Sequence, residues 1–371
     1  MKKNLFLFFI VLFSHLLGSA QSNNEVTVLF LLPFHLKDGS TKYLSIKSSA
    51  EIHQIKQFEM IGFWFGAKMA LKEYENADMK INVIVRDVVT DESELKIILE
   101  DSLLMKQVDI IIGPFYGSLF PIASDFAKKN KIIIVNPFST RYDFVENNPY
   151  VFKLIPPFIS RPETIENYFL SHSEDYDIIL WGDSTTTPEL IAYKYFFNEH
   201  HIRFKEIHTL TLPQHSLHKK LIIALFDERE RVIHGVHSIT SLEDQTNRVF
   251  VVPEKWLSVS ELTEDFYSLP ELFFFSNYFI DENSPEIQQF KEDYIFNYGA
   301  PAELADYSFQ GYDITRYFID LFFADFNTND VQFKPLSYKF QWKQILNGGF
   351  ENSKARLIKI KDLELEEVNA K

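Results

Sequence analysis

The stretch VDIIIGPFYGSLFPIASDF, from Val108 to Phe126, places two glycines and a serine between an apolar run and a helix-like segment. Glycine lets a backbone approach a ligand closely, and a helix start presents unpaired N–H groups to an anion. Such a turn could cradle a phosphate, hold a carboxylate, expose a nucleophilic Ser118, or simply turn the chain. Pro33-Phe34 follows the first apolar run in a similar way, and Phe138-Ser139-Thr140 follows the run KIIIVNPFST. GPFYGS lacks the lysine that a phosphate loop carries after its last glycine, which argues against nucleoside triphosphates. No G-x-S-x-G elbow and no H-E-x-x-H pair occurs, so nucleophilic and zinc-hydrolase chemistry have no motif behind them. His234 and His237 in VIHGVHSI, read as a strand, fall on opposite faces and do not make a metal pair. What remains for the two hydroxyl-bearing turns, Tyr116-Gly117-Ser118 and Phe138-Ser139-Thr140, is a helix-end cradle suited to a carboxylate, set against the plainer reading of ordinary helix caps.

The elements that must position these turns alternate along the chain. VTVLFLLPF (Val26 to Phe34) is apolar throughout, as a strand covered on both faces would be. Phe58, Ile61, Gly62, Phe65 and Met69 then recur at helical spacing. Strand INVIVRDV, helix ESELKIILEDSLL, strand VDIIIG, helix SLFPIASDFAKKN and strand KIIIVNPF complete a βαβ series. At NNPYVFKLIPPF (Asn147 to Phe158) prolines break the rhythm, and this reads as a crossing between two lobes. A second series is predicted as helix ETIENYFLSHS, strand DYDIILWGD, helix ELIAYKYFFNEH, strand FKEIHTLTL, helix LHKKLIIALFDE and strands VIHGVHSI, NRVFVVP and ELFFFSNYF. Ser284-Pro285 opens and Gly299 stops a long helix, another covers ADYSFQGYDITRYFIDLFFADF, and strand-like pieces LSYKFQW and ARLIKIKDLEL follow.

The chain of 371 residues is long enough for two lobes, and its 37 phenylalanines read mostly as core. Lys2 and Lys3, the run LFLFFIVLF and the small residues Gly18-Ser19-Ala20 read as a cleavable secretory signal peptide over residues 1–20, and hence a periplasmic protein. No cysteine is present, so disulfides, thiolate metal sites and a thiol nucleophile are excluded. The formal charge is −15, and without Lys2 and Lys3 it is −17, from 35 basic against 52 acidic residues. With no dense basic patch, nucleic acid and anionic membranes are poor partners. The tail DLELEEVNA reads as a solvated end.

The order of elements, the IIGPFYGS and IIIVNPFST turns, the NPYVFKLIPP crossing, VFVVPEKW, SPEIQQFKEDYIFNYG with YSFQGYDITRYFIDLF, and a late GGFEN together resemble type 1 periplasmic binding proteins, the leucine/isoleucine/valine-binding class. The likeness covers Val26 to about Leu365 and lies in order and spacing. It is similar in style to Bacteroidetes proteins in which this domain follows LysM modules, and no LysM segment stands in this sequence. The resemblance implies an α/β fold of two doubly wound Rossmann-like lobes joined by three crossings, residues 25–153 plus 282–328 in lobe 1 and 158–278 plus 333–371 in lobe 2. It implies a non-catalytic solute-binding protein without cofactor or metal. The protein would close by hinge motion on an amino acid or similar small carboxylate and act with an inner-membrane ABC transporter. Tyr116, Gly117, Ser118, Phe138, Ser139 and Thr140 would then hold the ligand's carboxylate. Glu254 would meet its ammonium, and His234 would stand near the place of an aromatic. Phe115, Tyr116 and Phe138 replace the smaller residues usual there, and would either fill the cleft or stack on a ring. The alternative on the same fold is an interaction protein without a small ligand that regulates a cell-envelope (peptidoglycan) enzyme.

Overall fold

A computed structural model describes residues 24–36, 60–170, 176–182, 187–210, 218–242, 245–260, 264–304 and 307–368. The segment read as a signal peptide, 1–20, and Phe58 lie outside the described residues. Two seven-stranded sheets form the frame. The first contains β1 (Glu25–Leu32), β2 (Lys80–Asp87), β3 (Ile110–Ile112), β4 (Ile133–Asn136) and β5 (Val151–Lys153). The second contains β6 (Tyr176–Trp181), β7 (Phe204–Ile207), β8 (Lys219–Ala224), β9 (Arg248–Pro253) and β10 (Leu272–Ser276). After two long helices the chain adds β11 (Trp342–Gln344) and β12 (Phe350–Asn352) to the first sheet, then β13 (Arg356–Lys361) and β14 (Glu364–Val368) to the second. The orders are β11-β12-β5-β4-β3-β1-β2 and β14-β13-β10-β9-β8-β6-β7. Pairing is parallel except β11 with β12, β10 with β13, and β13 with β14.

Strands buried on both faces explain the continuous apolar runs. Val26, Val28, Phe30 and Leu32 of β1 enter one core group of the first lobe, while Leu29 and Leu31 enter the group on the other face. Leu221 and Ile223 of β8 are divided from Ile222 and Ala224 in the same way in the second lobe. Helices α1 (Met60–Lys72), α2 (Glu92–Glu100), α3 (Phe120–Asn130), α4 (Pro188–Glu199), α5 (Arg229–Thr240), α6 (Pro285–Tyr298) and α7 (Ser308–Phe323) cover these faces. Asp91 caps α2 by accepting from the Ser93 and Glu94 amides, and Thr187 caps α4 through the Leu190 amide. Pro285 opens α6, and Gly299 ends it at φ +69°, a conformation glycine adopts without strain. The Ser284 hydroxyl donates to Glu286 at 2.5 Å and does not cap the helix.

Several elements differ from the sequence reading. KKLIIA forms strand β8 where a helix was expected, and VIHGVHSI lies in helix α5 where a strand was expected. The buried residues Val232, Val236 and Ile239 recur at helical spacing, with Gly235 seated against Trp256 and Trp181, so the helix face was present in the pattern. β11 and β12 fall within the 333–371 range assigned to lobe 2, yet they join the first sheet because β12 pairs with β5. The acidic tail is not merely solvated: Glu364–Val368 pairs antiparallel with β13.

One buried ion pair sits where β5 leaves the first lobe. Lys153 is fully buried; its Nζ lies 2.8 Å from Glu351 Oε1 and donates to the Ile155 carbonyl at 2.5 Å. Burial pushes the lysine below its ordinary range, and Glu351 opposes that. Removing one partner strands the other charge, so Lys153→Met is expected to cost about 3–5 kcal/mol, and Lys153→Met with Glu351→Leu much less. Urea midpoints of the single and double variants check this; equal losses would overturn it.

Candidate functional site

In parallel sheets, ligands meet the carboxyl ends of the strands, where helices begin. On the first sheet β4, β3 and β1 are neighbours, with Ile112 beside Val135 and Phe30 beside Ile112. This register brings the turns at Ser139, Tyr116 and His35 to one sheet end. The Tyr116 hydroxyl lies 3.3 Å from His35 Nε2, linking two of them. Asp87, at the end of β2, accepts from the backbone amides of Phe34 and His35 at 2.8 and 3.2 Å and of Leu36 at 2.8 Å. That carboxylate fixes the loop after β1 and was not singled out from sequence.

The two candidate turns are not alike. Gly113 has φ +97°, and a Cβ there would meet the Leu31 carbonyl oxygen at 2.6 Å, so this glycine serves strand packing. Gly117 meets only Phe144 Cζ at 3.8 Å and leaves the turn open above it. Ser118 is exposed, and Leu119, without a side-chain cap, occupies the N-cap of α3. In the next turn the Ser139 amide donates to Asn136 Oδ1 at 2.8 Å and its hydroxyl accepts from the Arg141 amide at 3.1 Å. Thr140 is exposed. Arg141 grips Asp143 through Nε at 3.0 Å and Nη2 at 2.5 Å, which holds that carboxyl below its usual range.

Phe115 and Phe138 are half-buried against the first lobe's own core. Their rings meet edge-on at 5.2 Å; Phe115 meets Phe63 of α1 at 5.0 Å, and Phe138 lies 4.7 Å from Tyr307. These rings form a floor beneath the turns. Tyr116 is the exposed member of the trio, at 37%.

At the corresponding end of the second sheet, Glu254 follows β9. Its Oε1 accepts from the Ser276 hydroxyl at 2.7 Å, at the end of β10. Crowding by protein raises the Glu254 carboxyl above its usual range although the residue as a whole is exposed; the Ser276 hydrogen bond and the charge of Arg161 oppose that rise. Lys255, its sequence neighbour, pairs instead with Asp227 at 2.8 Å. Glu254, Ser276 and Tyr278 line a cavity of about 480 Å³ with Phe274, Phe279 and Leu363. Arg161, in the helical turn Ser160–Ile165 after the first crossing, was missed from sequence. Its Nη1 lies 2.5 Å from Glu189 Oε1, and its guanidinium stands 5.2 Å from the Phe158 ring and 5.6 Å from Phe275. The hint of it in the sequence was an arginine three residues past the proline-rich crossing.

His234 does not join this group. It is exposed on α5 and lines an open depression with His237, Ser238 and Asp265, while Glu254 lines a different cavity. The strand reading set His234 and His237 on opposite faces, whereas a helix turns i and i+3 to one side. Among the described residues no group of three or more His, Cys, Asp or Glu could hold a metal ion, and no helix is long and apolar enough to cross a membrane.

No family model matches the sequence, and no curated protein matches it. Solved structures do match. An ABC transporter substrate-binding protein from Desulfitobacterium hafniense, in complex with Leu, superposes with a TM-score of 0.56 at 14% identity, covering 93% of this chain and 100% of that one. A candidate branched-chain amino acid ABC transporter protein from Rhodospirillum rubrum gives 0.64 at 10% identity with the same coverage. Full-length LpoA from Haemophilus influenzae gives 0.59 at 14% identity over 94% of this chain, which spans 60% of that structure. Two parallel-dominated sheets, each between helix layers and linked by repeated crossings of the chain, give this protein the two-lobed α/β fold of the type 1 periplasmic binding proteins.

Proposed function

We propose that this protein is an exported, non-catalytic solute-binding protein that takes a small zwitterion of the amino-acid class between its lobes and closes on it by hinge motion. The observation that carries this reading is the Glu254 carboxylate at the end of β9, which lines a cavity with Ser276 bonded to it and Arg161 within electrostatic reach. Arg161 pairs with Glu189, so Glu254 carries the charge left over, and the site suits a ligand that brings a cationic group to it. The ammonium meets Glu254, and the ligand carboxylate meets Arg161 or the uncapped start of α3 beyond Ser118. Lobe closure removes both from water and strengthens both contacts. Neighbours of the same fold include one solved with Leu. Such a protein delivers its ligand to an inner-membrane transporter.

A thermal-shift screen of L-amino acids and small carboxylates tests this. Binding is expected to raise Tm with saturation, and Glu254→Gln to weaken affinity at least about 10-fold, or 1.4 kcal/mol. A flat wild-type response across the panel would sink it. A second reading, an interaction protein on the same fold acting on an envelope enzyme, is favoured by one feature. Ser139 and Arg141, which a carboxylate would otherwise engage, are already bonded within their own turn.

A further inference from the structure

The segment between α7 and β11 belongs to the first lobe, with Tyr338 in that lobe's core. Asp313 of α7 holds it: Oδ1 accepts from the Leu336 amide at 2.7 Å, and Oδ2 accepts from the Ser337 amide and hydroxyl at 2.7 Å and the Tyr338 amide at 2.9 Å. The Ser337 carbonyl faces the other way. It accepts from the Phe279 amide, on the second crossing, at 2.9 Å, and from Nη1 of Arg356, the first residue of β13 in the second sheet. The other two nitrogens of Arg356 fork onto Glu367 of β14 at 2.8 and 2.9 Å. Glu367 in turn pairs at 2.8 Å with Lys339, back in the first lobe. Arg356 is 7% exposed, and its guanidinium lies 5.6 Å from the Phe279 ring.

Two ionic or hydrogen-bonded links therefore join the lobes, Arg356 to Ser337 and Glu367 to Lys339, both from one rigid Arg–Glu fork. A fork has fixed donor directions, so a rotation of one lobe against the other cannot keep both links. The Lys153–Glu351 pair differs: both partners stand on the first sheet and ride with it.

We infer that Arg356 and Glu367 form an interlobe clasp which sets the angle between the lobes and must let go when that angle changes. The clasp stores the angle in charge-assisted bonds, of which those of Arg356 are buried enough to escape screening, so its loss shifts the population of lobe angles. The inference holds whether or not the cleft takes a solute.

The test uses the full chain, which has no cysteine, so two introduced labels are unique. Leu103→Cys and Tyr195→Cys are 77% and 61% exposed positions, one on each lobe's outer helices. Pulsed electron-spin distances between them are compared for the parent, Arg356→Gln, Glu367→Gln and Lys339→Met, with Lys80→Met as a control that removes the exposed Lys80–Glu25 pair. The clasp variants are expected to shift or widen the distance distribution beyond the control, Arg356→Gln most. If Arg356→Gln does not fold, the other two carry the test, since Lys339 stands nearer the surface. Folded clasp variants whose distributions superpose on the parent would overturn the inference. A shift in them together with a flat solute screen would leave the clasp standing and remove only the solute-binding reading.

Discussion

Gly311→Ala is expected to destabilise the first lobe by about 3 kcal/mol or more, or to prevent its folding. A Cβ on Gly311 would stand 1.9 Å from the Phe63 carbonyl oxygen and 2.9 Å from its Cα, and on Gly66 it would stand 1.8 Å from the Ser308 carbonyl oxygen. All of these are backbone atoms, so no side chain can swing aside. Helices α1 and α7 touch through the two glycines, and parting them would loosen Phe63 and Ala67 from Ile314 and Phe318 in the core they share. A urea titration followed by circular dichroism measures the loss. Gly117→Ala, where the new methyl meets only Phe144 Cζ at 3.8 Å, is expected to stay within about 0.5 kcal/mol of the parent. A Gly311→Ala protein with the parent midpoint would show that the helices can separate freely.

Asp313→Asn is expected to cost about 3–5 kcal/mol. The carboxylate is fully buried and accepts from three backbone amides and one hydroxyl. An amide offers one oxygen and turns its own donors toward amides that need an acceptor. The same group gives a pH signature. Burial outweighs the Ser337, Leu336 and Tyr338 hydrogen bonds and pushes the Asp313 carboxyl up to about 6. Its folded value thus lies above the unfolded value of about 3.9, so the folded state holds the proton more tightly. The stabilisation it gives is complete below about pH 4 and is lost as pH rises through 6. The parent-minus-variant difference in stability is therefore expected to shrink by roughly 2–3 kcal/mol between pH 4 and 7. If the Asn chain does not fold, Ser337→Ala serves: losing a bond to the ionised form moves the window to higher pH. A difference that stays constant with pH would refute this.

Much of the frame was legible in the residues. β1 reads VTVLFLL because a strand covered on both faces has no polar side to show, and Pro285 and Gly299 mark the ends of α6 by backbone restriction and freedom. The turns proposed as a cradle stood out because glycine and hydroxyl residues cluster where strands give way to helices. Short apolar runs were harder: LIIALF is apolar throughout and fits either period, and the helix face of VIHGVHSI rests on Val232, Val236 and Ile239 alone. The C-terminal strands were assigned by chain order, yet β12 returns to the first sheet to pair with β5 while β13 pairs with β10.

Local preference and period depend on neighbours in the chain, so composition and spacing were enough for the alternation of the first lobe, the two-lobed plan and the candidate turns, but not for β8 and α5. Which charges meet depends on residues far apart in sequence. Glu254 with Ser276, Arg161 with Glu189, the fold-back of Phe115 and Phe138 onto Phe63, and the Arg356 clasp all arise only when the sheets close and the three crossings are laid side by side. Burial then changes what each group does, because a carboxylate crowded by protein has lost the water that would otherwise make it an ordinary surface acid.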